Sequence, residues 1–396
     1  MTTWLDLASD DPFGVANLPY GVFAPPGGQP RVGVRIGGRV LDLAAVLRDS
    51  VFAAPSLNAF MARGRSEWTR VRALITESLS DERHRDAVEP HLHRLDEVRL
   101  SLPFEVADYV DFYASEHHAT NLGRLLRPGT APLTANWKHL PIGYHGRSGT
   151  VVVSGTPVRR PSGQIKDPDL DAPGFGPTRR LDIEAEVGFV VGAGSALGRP
   201  VTTAEFAHRV FGVCLVNDWS ARDLQAWEYV PLGPFLGKSF ATSVSPWIVP
   251  LDALGEAWTA PPARDPAPLP YLADAGEQGL DLALEVRLND ERVSAPPFAG
   301  MYWTGAQMLA HLTVNGASTR TGDLYASGTV SGPVPGEYGS FMEMTEAGRK
   351  PLPLADGTSR GFLLDGDEVT ISGTAPGPGG IRLGLGEVSG RVLPPG

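Results

Sequence analysis

The stretch Leu181-Asp182-Ile183-Glu184-Ala185-Glu186-Val187 alternates apolar and acidic side chains. A period of two is that of a β-strand, whose successive side chains point to opposite faces. The alternation predicts a strand with Asp182, Glu184 and Glu186 on one face and the apolar residues, continued by Phe189, on the other. Polar-out alternation is ordinary in antiparallel sheets, so a solvated strand face is one interpretation.

The spacing of Glu184 and Glu186 supports a second interpretation, a cation site. Two residues apart on a strand, their Cβ atoms are expected roughly 6.6–6.8 Å apart, so both carboxylates can bend toward one ion. Hard divalent cations prefer such oxygen ligands. Carboxylates crowded on one face require a counter-charge, and the rest of the chain decides between the two interpretations.

The composition limits the kinds of protein that this chain can be. The 396 residues are 42% hydrophobic and 20% charged, which is globular and enough for two or three domains. The net charge of −11 argues against nucleic acid as a partner. Cys214 is the only cysteine, so no internal disulfide can form and a cytoplasmic location is expected. Residues 1–10 carry acidic side chains and lack the basic start and apolar core of an export signal, and no apolar run is long enough for a membrane span, so we expect a protein that is neither exported nor membrane-spanning.

The first hundred residues predict a small β-rich domain, residues 1–103. Val32, Val34 and Ile36 alternate with other residues before a Gly37-Gly38 turn and a second strand, which is a hairpin pattern. Two helices follow, one capped by Ser56 and one in which apolar residues recur at helical spacing. The apolar residues of the second helix are Trp68, Val71, Leu74 and Ile75.

Residues 104–396 predict a second, mostly antiparallel β domain. Alternate residues from Leu280 to Leu288 are apolar before an Asn289-Asp290 turn, and Asp365-Gly366 introduces another strand. Short strands are separated by long loops, including residues 161–177, and the chain has 36 prolines and 47 glycines. We therefore expect a mostly β protein with few helices that carries its function on loops.

Residues 217–229 predict a helix of about three turns. Asp218, Arg222, Gln225 and Tyr229 are spaced by four, three and four, so they would share one helix face. An acid, a cation, an amide and a phenol in one stripe suit the wall of a binding site. A solvated face with an Asp–Arg pair is the alternative.

His117 and His118 are candidate general bases, because histidine can accept a proton near neutral pH. Adjacent histidines point in different directions, so one of the two is expected to serve, and a purely structural histidine is the alternative. Two familiar signatures are incomplete. The segment Gly233–Ser239 is one residue short of a P-loop, and Asp167, Asp169 and Asp171 lack the glycine and glutamate of a calcium loop.

Several blocks together make the chain similar to the fumarylacetoacetate hydrolase family. They are Asp111-Phe112-Tyr113, His118-Ala119-Thr120-Asn121, Leu140-Pro141-Ile142-Gly143-Tyr144-His145-Gly146-Arg147, residues 217–222 and residues 233–240. The resemblance runs almost end to end, from residues 17–23 through residues 326–329 to residues 362–369. Two features depart from the family pattern: the second histidine, His117, and the segment between Arg127 and Trp137.

The resemblance implies roles for individual residues. A metal would be held by Asp111, Glu184, Glu186 and Asp218, with Lys238 and Thr242 flanking a second cation. His118 would be the base and Glu343 would orient it, while Arg222, Gln225 and Lys238 would stabilise anions. The substrate would be held by Tyr113, Arg127, Tyr144, Arg222, Gln225, Tyr229 and Thr329.

The resemblance also implies the fold, the reaction and the partners. The fold would be a small SH3-like N-terminal β-barrel followed by a C-terminal mixed β-sandwich roll, in a homodimer. The reaction would be hydrolysis of the carbon–carbon bond of 4-fumarylacetoacetate, a diketo-diacid, in the last step of tyrosine and phenylalanine breakdown. The cofactor would be Mg²⁺ or Ca²⁺, with Mn²⁺ also possible, because oxygen ligands suit each of them.

Two alternatives stay open from the sequence. A related metal-dependent enzyme could use the same site on another substrate, as an acylpyruvate hydrolase or an oxaloacetate decarboxylase. A non-catalytic β-sandwich stabilised by its metal would explain the acidic residues, but it gives no reason for His118, Arg222 and Lys238 around them.

Overall fold

The structure is a computed structural model, and it describes residues 3–396. Its N-terminal part is built on a five-stranded antiparallel sheet. In order across the sheet, the strands are Leu92–Arg94, Arg39–Asp42, Arg31–Ile36, Tyr20–Ala24 and Arg99–Ser101. The predicted hairpin is confirmed, with Ile36 paired to Arg39 and with Gly37 at a φ of 54°, which favours glycine. Closure of this sheet into an SH3-like barrel stays a prediction.

Helices cover this first sheet. They are Leu43–Leu47, Asn58–Met61, Arg65–Ser80 and Arg85–Val88. In the longest of them, Trp68, Val71 and Ile75 are buried at helical spacing, as predicted, while Leu74 is 37% exposed. The Trp68 ring meets Phe211 edge to face at 5.3 Å, so the helix also packs on the next sheet.

The C-terminal part contains a large mixed sheet. In order, its strands are Gly143–His145, Tyr109–Phe112, Leu324–Ala326, Ala185–Val191, Val210–Asp218, Thr242–Val244 and Val151–Val153, with Val249–Pro250 also paired to Val210–Asp218. The two pairs 324–326 with 109–112 and 242–244 with 151–153 are parallel, and the others are antiparallel.

A second sheet faces the first. Its strands, in order, are Glu291–Ser294, Ala283–Leu288, Glu368–Pro376, Arg382–Leu393 and Val158–Arg159. The predicted turn at Asn289 and Asp290 is confirmed, with φ of 49° and 66°. Leu215 of the large sheet comes so close to Gly373 of this one that an added Cβ would lie 3.2 Å from its Cδ2. The two faces form one hydrophobic core.

Few helices complete the C-terminal part, so the prediction of a mostly β protein with few helices is confirmed. They are Glu116–Leu126, Phe206–Arg209, Arg222–Glu228, Gly305–Thr313 and Phe341–Met344. Small two-stranded pairs join Ser162–Ile165 with Gly174–Pro177, Leu181–Asp182 with Ser220–Ala221, Trp258–Thr259 with Gly279–Leu280, and Leu352–Pro353 with Ser359–Arg360. Within residues 3–396, every helix is too short or too polar to cross a bilayer.

Two sequence predictions need correction. The helix predicted over residues 217–229 begins only at Arg222, because Asn217 and Asp218 end a strand whose neighbours pair with it on both sides. The strand predicted over residues 181–187 is interrupted, because side chains take its backbone N–H groups. Ile183 donates to Asp182 at 2.7 Å and Glu184 donates to Asn217 at 3.3 Å.

The predicted faces of this stretch are nevertheless present. Leu181, Ile183, Ala185, Val187 and Phe189 all lie in the core. The acidic face is also buried, since Asp182, Glu184 and Glu186 are at most 5% exposed. The interpretation as a solvated strand face is therefore wrong.

Candidate active site

Strand pairing brings four acidic residues together at one end of neighbouring strands in the large sheet. Glu186 is the second residue of the strand Ala185–Val191, and Asp218 is the last residue of the antiparallel neighbour, in which Asn217 pairs with Ala185. On the other side, Ala326 pairs with both Gly188 and Asp111. We call Asp111, Glu184, Glu186 and Asp218 the acidic cluster.

The acidic cluster fits a divalent cation. Carboxylate oxygens of Asp111, Glu184 and Asp218 lie within 4.8 Å of one another, and all three side chains are buried. Among the described residues, Asp111 Oδ1 and both oxygens of Glu186 have no hydrogen-bond partner. Burial and then the charge of Asp218 raise the pKa of Asp111, and burial and then Asp111 raise that of Glu186. Buried oxygens without donors are what a hard cation would satisfy.

Lys238 supplies part of the counter-charge. Its Nζ donates to Glu184 Oε2 and, at 3.1 Å, to Asp218 Oδ2. Burial would lower the pKa of Lys238, but Asp218 and Glu184 outweigh it and hold the pKa above its usual value. A protonated amine has no free lone pair, so the Lys238 side chain acts here as a cationic neighbour of the cluster.

Two hydroxyl groups complete the surroundings of Asp218. Thr242 Oγ1 donates to Asp218 Oδ1 at 2.8 Å, and the Tyr144 hydroxyl donates to Oδ2 at 3.0 Å. Thr242 reaches this point because it pairs with Asp218 across the sheet. The second cation that the resemblance implies near Lys238 and Thr242 stays a prediction.

Arg222 and Gln225 lie together at the start of the short helix Arg222–Glu228. Arg222 Nη1 is 2.8 Å from Glu184 Oε1 and donates to Gln225 Oε1 at 3.2 Å. Burial would lower the pKa of Arg222, but Asp182 and Glu184 raise it above its usual value. The predicted stripe thus holds for Arg222 and Gln225, whereas Asp218 joins them from a strand.

His118 and Glu343 form a buried pair. Nδ1 of His118 is 2.7 Å from Oε2 of Glu343, and both side chains are at most 3% exposed. Burial would raise the pKa of Glu343, but His118 and its other donors bring it below the usual value. An ionised carboxylate accepts from Nδ1–H, which leaves Nε2 of His118 free to accept a proton.

Sequence reasoning missed three further partners of Glu343. Asn121 Nδ2 donates to Oε1 at 3.0 Å, and the hydroxyls of Ser331 and Ser340 each donate to Oε2 at 2.9 Å. Asn121 stands three residues after His118 on one helix, so helical spacing could have identified it. Nothing local marks the two serines.

His117 differs from His118 in its surroundings. It is half-buried in the first turn of the helix Glu116–Leu126, whereas His118 is 2% exposed and lines the large cavity beside the acidic cluster. His117 is not among the lining residues of that cavity. The structure therefore favours His118 as the residue facing a ligand.

The cavity has a volume of about 580 Å³. The predicted site residues that line it are Asp111, Tyr113, His118, Arg127, Tyr144, Glu184, Arg222, Gln225, Tyr229, Lys238 and Thr329. Glu186, Asp218, Thr242 and Glu343 are buried next to these lining residues.

The residues expected to hold the substrate occupy different parts of this cavity. The Tyr113 ring meets the His118 ring edge to face at 5.4 Å. The Thr329 hydroxyl is buried and has no partner among the described residues. Arg127 is exposed and donates to the Pro132 carbonyl at 2.8 Å, and Tyr229 is 47% exposed. The deep part of the cavity is therefore charged and buried, and its mouth is open to solvent.

Comparison with known proteins gives consistent matches. Residues 16–103 match the family described as fumarylacetoacetase N-terminal, and residues 108–393 match fumarylacetoacetate (FAA) hydrolase C-terminal. The chain is 45% identical to fumarylacetoacetase of Homo sapiens, with 99% of each covered. It is 44% identical to that of Arabidopsis thaliana, with 100% of this chain and 99% of the relative covered.

Solved structures share the fold. A fumarylacetoacetate hydrolase from Exiguobacterium antarcticum aligns with a TM-score of 0.57 and 21% identity, covering 95% of this chain and 99% of the other. A maleylpyruvate hydrolase from Sphingobium, in complex with manganese(II) and pyruvate, aligns with a TM-score of 0.53 and 17% identity, covering 96% and 100%.

Proposed function

Because this chain belongs to the fumarylacetoacetase family of hydrolases, we propose that it hydrolyses 4-fumarylacetoacetate to fumarate and acetoacetate. One observation carries the proposal beyond the family. The His118–Glu343 pair, the Arg222–Gln225 pair and the acidic cluster meet at a single cavity. The role would be the last step of tyrosine and phenylalanine breakdown.

The charges of the cavity suit a dianionic substrate. Arg127 lies at the mouth, while Arg222 and Lys238 lie in the deep part. The diketone and its two carboxylates would be held and oriented by Tyr113, Tyr144, Tyr229 and the Thr329 hydroxyl. Holding the substrate in one orientation removes much of the entropic cost of reaction.

Proton transfer would fall to His118. Its free Nε2 would take a proton from water as the hydroxide adds to a carbonyl carbon of the substrate. Glu343 holds the ring through Nδ1 and balances the imidazolium charge. The electron pair of the broken carbon–carbon bond goes to the leaving carbon, and His118 returns its proton there, so acetoacetate is released without a net change at the histidine.

Negative charge develops on oxygen both when water adds to the carbonyl and when the carbon–carbon bond breaks, and buried donors would stabilise it. Arg222, Gln225 and Lys238 provide cationic or amide N–H groups fixed by neighbouring side chains. Losing one such donor typically costs about 10²–10³ in rate.

The acidic cluster would hold the divalent cation, Mg²⁺, Ca²⁺ or Mn²⁺. When bound, the cation supplies Lewis-acid polarisation of the substrate oxygens. Two of the four carboxylates, Glu184 and Asp218, are held by hydrogen bonds from Lys238, Thr242 and Tyr144.

The test is hydrolysis of fumarylacetoacetate by the purified protein, followed as loss of diketone absorbance with and without each divalent ion. We expect ion-dependent turnover that a chelator removes. Faster turnover of an acylpyruvate, or release of CO₂ from oxaloacetate, would move the function to the related enzymes. The non-catalytic alternative would be supported by two results together: the protein acts on none of the three substrates, and a chelator lowers its melting temperature.

We also propose a homodimer in the cytoplasm. The oligomeric state can be measured by size-exclusion chromatography with light scattering, in which a monomer of about 42.1 kDa would contradict the proposal. Fluorescence microscopy of a tagged chain tests the location.

A further inference from the structure

Asp182 is a buried carboxylate to which the proposed function assigns no role. It is 0% exposed and ends the short strand Leu181–Asp182, two residues before Glu184. Its oxygens accept four hydrogen bonds. Oδ1 accepts from the backbone N–H of Ile183 and of Phe341, each at 2.7 Å, and Oδ2 accepts from the N–H of Met342 at 3.0 Å and from Arg222 Nε at 2.8 Å.

One of these bonds fixes the plane of the Arg222 guanidinium. Nε is held by Asp182, while Nη1 is held by Glu184 at 2.8 Å and by Gln225 at 3.2 Å. A guanidinium is planar, so anchoring Nε and Nη1 sets the direction of every remaining N–H. Among residues 3–396, Asp182 and Glu184 are the acidic partners of the Arg222 cation, so removing Asp182 would leave Glu184 alone.

Two other bonds fix the turn that carries Glu343. Phe341 and Met342 are the first residues of the helix Phe341–Met344, whose first N–H groups have no partners within the helix. Asp182 accepts from both, while the Ser340 side chain accepts from the Glu343 N–H. The next residue, Glu343, then meets His118.

We propose that Asp182 is a positioning residue that ties the anion-stabilising Arg222 to the helical turn of the His118–Glu343 pair. Arg222 and Glu343 come from elements far apart in the chain, and Asp182 contacts both elements with one carboxylate. Asp182 therefore links the position of Arg222 directly to that of the turn at residues 341–343, in addition to the separate supports from Glu184, Gln225 and Ser340. The kinetic part of this inference rests on the proposed function.

The main test is Asp182→Asn, which keeps the size of the side chain but removes its charge and turns one acceptor into a donor. We expect kcat to fall by roughly 10- to 100-fold, as for a misplacement of about 1 Å, while KM changes less. The control is Asp223→Asn on the same helix as Arg222. Asp223 is buried, and its carboxylate accepts from the Thr178 hydroxyl, the Arg179 N–H at 2.8 Å and the Leu224 N–H, none of which belongs to Arg222 or to residues 341–343.

Both variants would be compared by melting temperature, so that loss of folded protein is separated from loss of kcat. The proposal would be overturned if Asp182→Asn and Asp223→Asn lost similar stability and the kcat of Asp182→Asn were unchanged. If that variant does not fold, Asp182→Ser, which is smaller and keeps an acceptor, takes its place. The double variant Asp182→Asn/Arg222→Lys tests whether Asp182 acts through Arg222. Its kcat should be less than about threefold below that of Arg222→Lys alone. If the fold-losses of the two single variants simply multiply in the double variant, Asp182 does not act through Arg222.

A crystal structure of Asp182→Asn gives a readout that does not need the substrate. We expect the Arg222 guanidinium and the turn at residues 341–343 to shift relative to each other. Wild-type positions for both would overturn the inference. Shifted positions in a protein whose wild type does not hydrolyse fumarylacetoacetate would refute the proposed function and leave the positioning role intact.

Discussion

Nδ1 of His118 lies 2.7 Å from Oε2 of Glu343, although the two residues are 225 positions apart in the chain. His118 comes from the helix Glu116–Leu126, and Glu343 from the single helical turn Phe341–Met344. Both are buried, and the carboxylate has three more donors, so the pair is rigid. This contact is the basis for the assignment of the general base.

His118→Ala should lower kcat by about 10²–10⁴, the usual contribution of a positioned acid–base group. Metal binding should persist, because His118 is not part of the acidic cluster. The measurement is turnover of fumarylacetoacetate together with Mg²⁺ binding by calorimetry. The matched control is His117→Ala, for which we expect turnover close to wild type; the reverse ranking would assign the base to His117.

Glu343→Gln should reduce kcat by about 10²–10⁴ with a smaller effect on KM, because the amide no longer balances the imidazolium charge. Steady-state kinetics on the folded variant measures both constants. Asn121→Ala removes only one donor to Glu343 and should cost less than the loss of the charge. Equal losses for the two variants would mean that Glu343 acts mainly through packing.

Glu186→Gln should raise the melting temperature of the metal-free protein and remove its stabilisation by metal. Burial and then the charge of Asp111 raise the pKa of Glu186, so a neutral amide relieves an unfavourable group. A bound ion at a hundred times its Kd stabilises the wild type by about 2.7 kcal/mol, a gain the variant should lack.

Thermal melts with chelator and with Mg²⁺ or Ca²⁺ check this prediction. Glu277→Gln on the surface is the control and should melt like wild type in both conditions. A variant that keeps the full metal-induced increase would show that Glu186 is not needed for the site.

The Asp367–Arg360 pair should stabilise the fold near neutral pH and lose this contribution in acid. Burial would raise the pKa of Asp367, but hydrogen bonds from Arg360, at 2.9 Å, and from Asn289 bring it below the usual value. A carboxyl whose folded pKa is lowered stabilises the fold above its unfolded pKa, and this contribution is lost as pH falls through the folded pKa.

Asp367→Asn should therefore reduce the free energy of unfolding by about 1.5–3 kcal/mol near pH 7. The difference from wild type should shrink as the pH falls below about 4. Urea unfolding at several pH values measures it, with the turn variant Asp290→Asn as a control that leaves the midpoint unchanged. A difference that does not depend on pH would contradict the electrostatic origin.

Local sequence was sufficient where neighbouring residues alone select the conformation. The turns at Gly37 and at Asn289-Asp290 have left-handed backbone angles that glycine and asparagine favour, so both hairpins were predictable. Alternation from Leu181 to Phe189 also gave the correct buried face. Burial of the acidic face did not follow from the alternation, because the neighbouring strands and Lys238 that enclose it are remote in sequence.

The sequence by itself determined the mostly β class, the principal turns and, through the family blocks, the residues gathered at the cavity. Only the tertiary structure decided that Asp218 ends a strand, since pairing with strands on both sides outweighs a helical spacing that costs or gains only tenths of a kcal/mol. It alone also decided that Asp182 accepts from Arg222 and from the turn before Glu343, because long-range hydrogen bonds depend on packing and leave no local pattern.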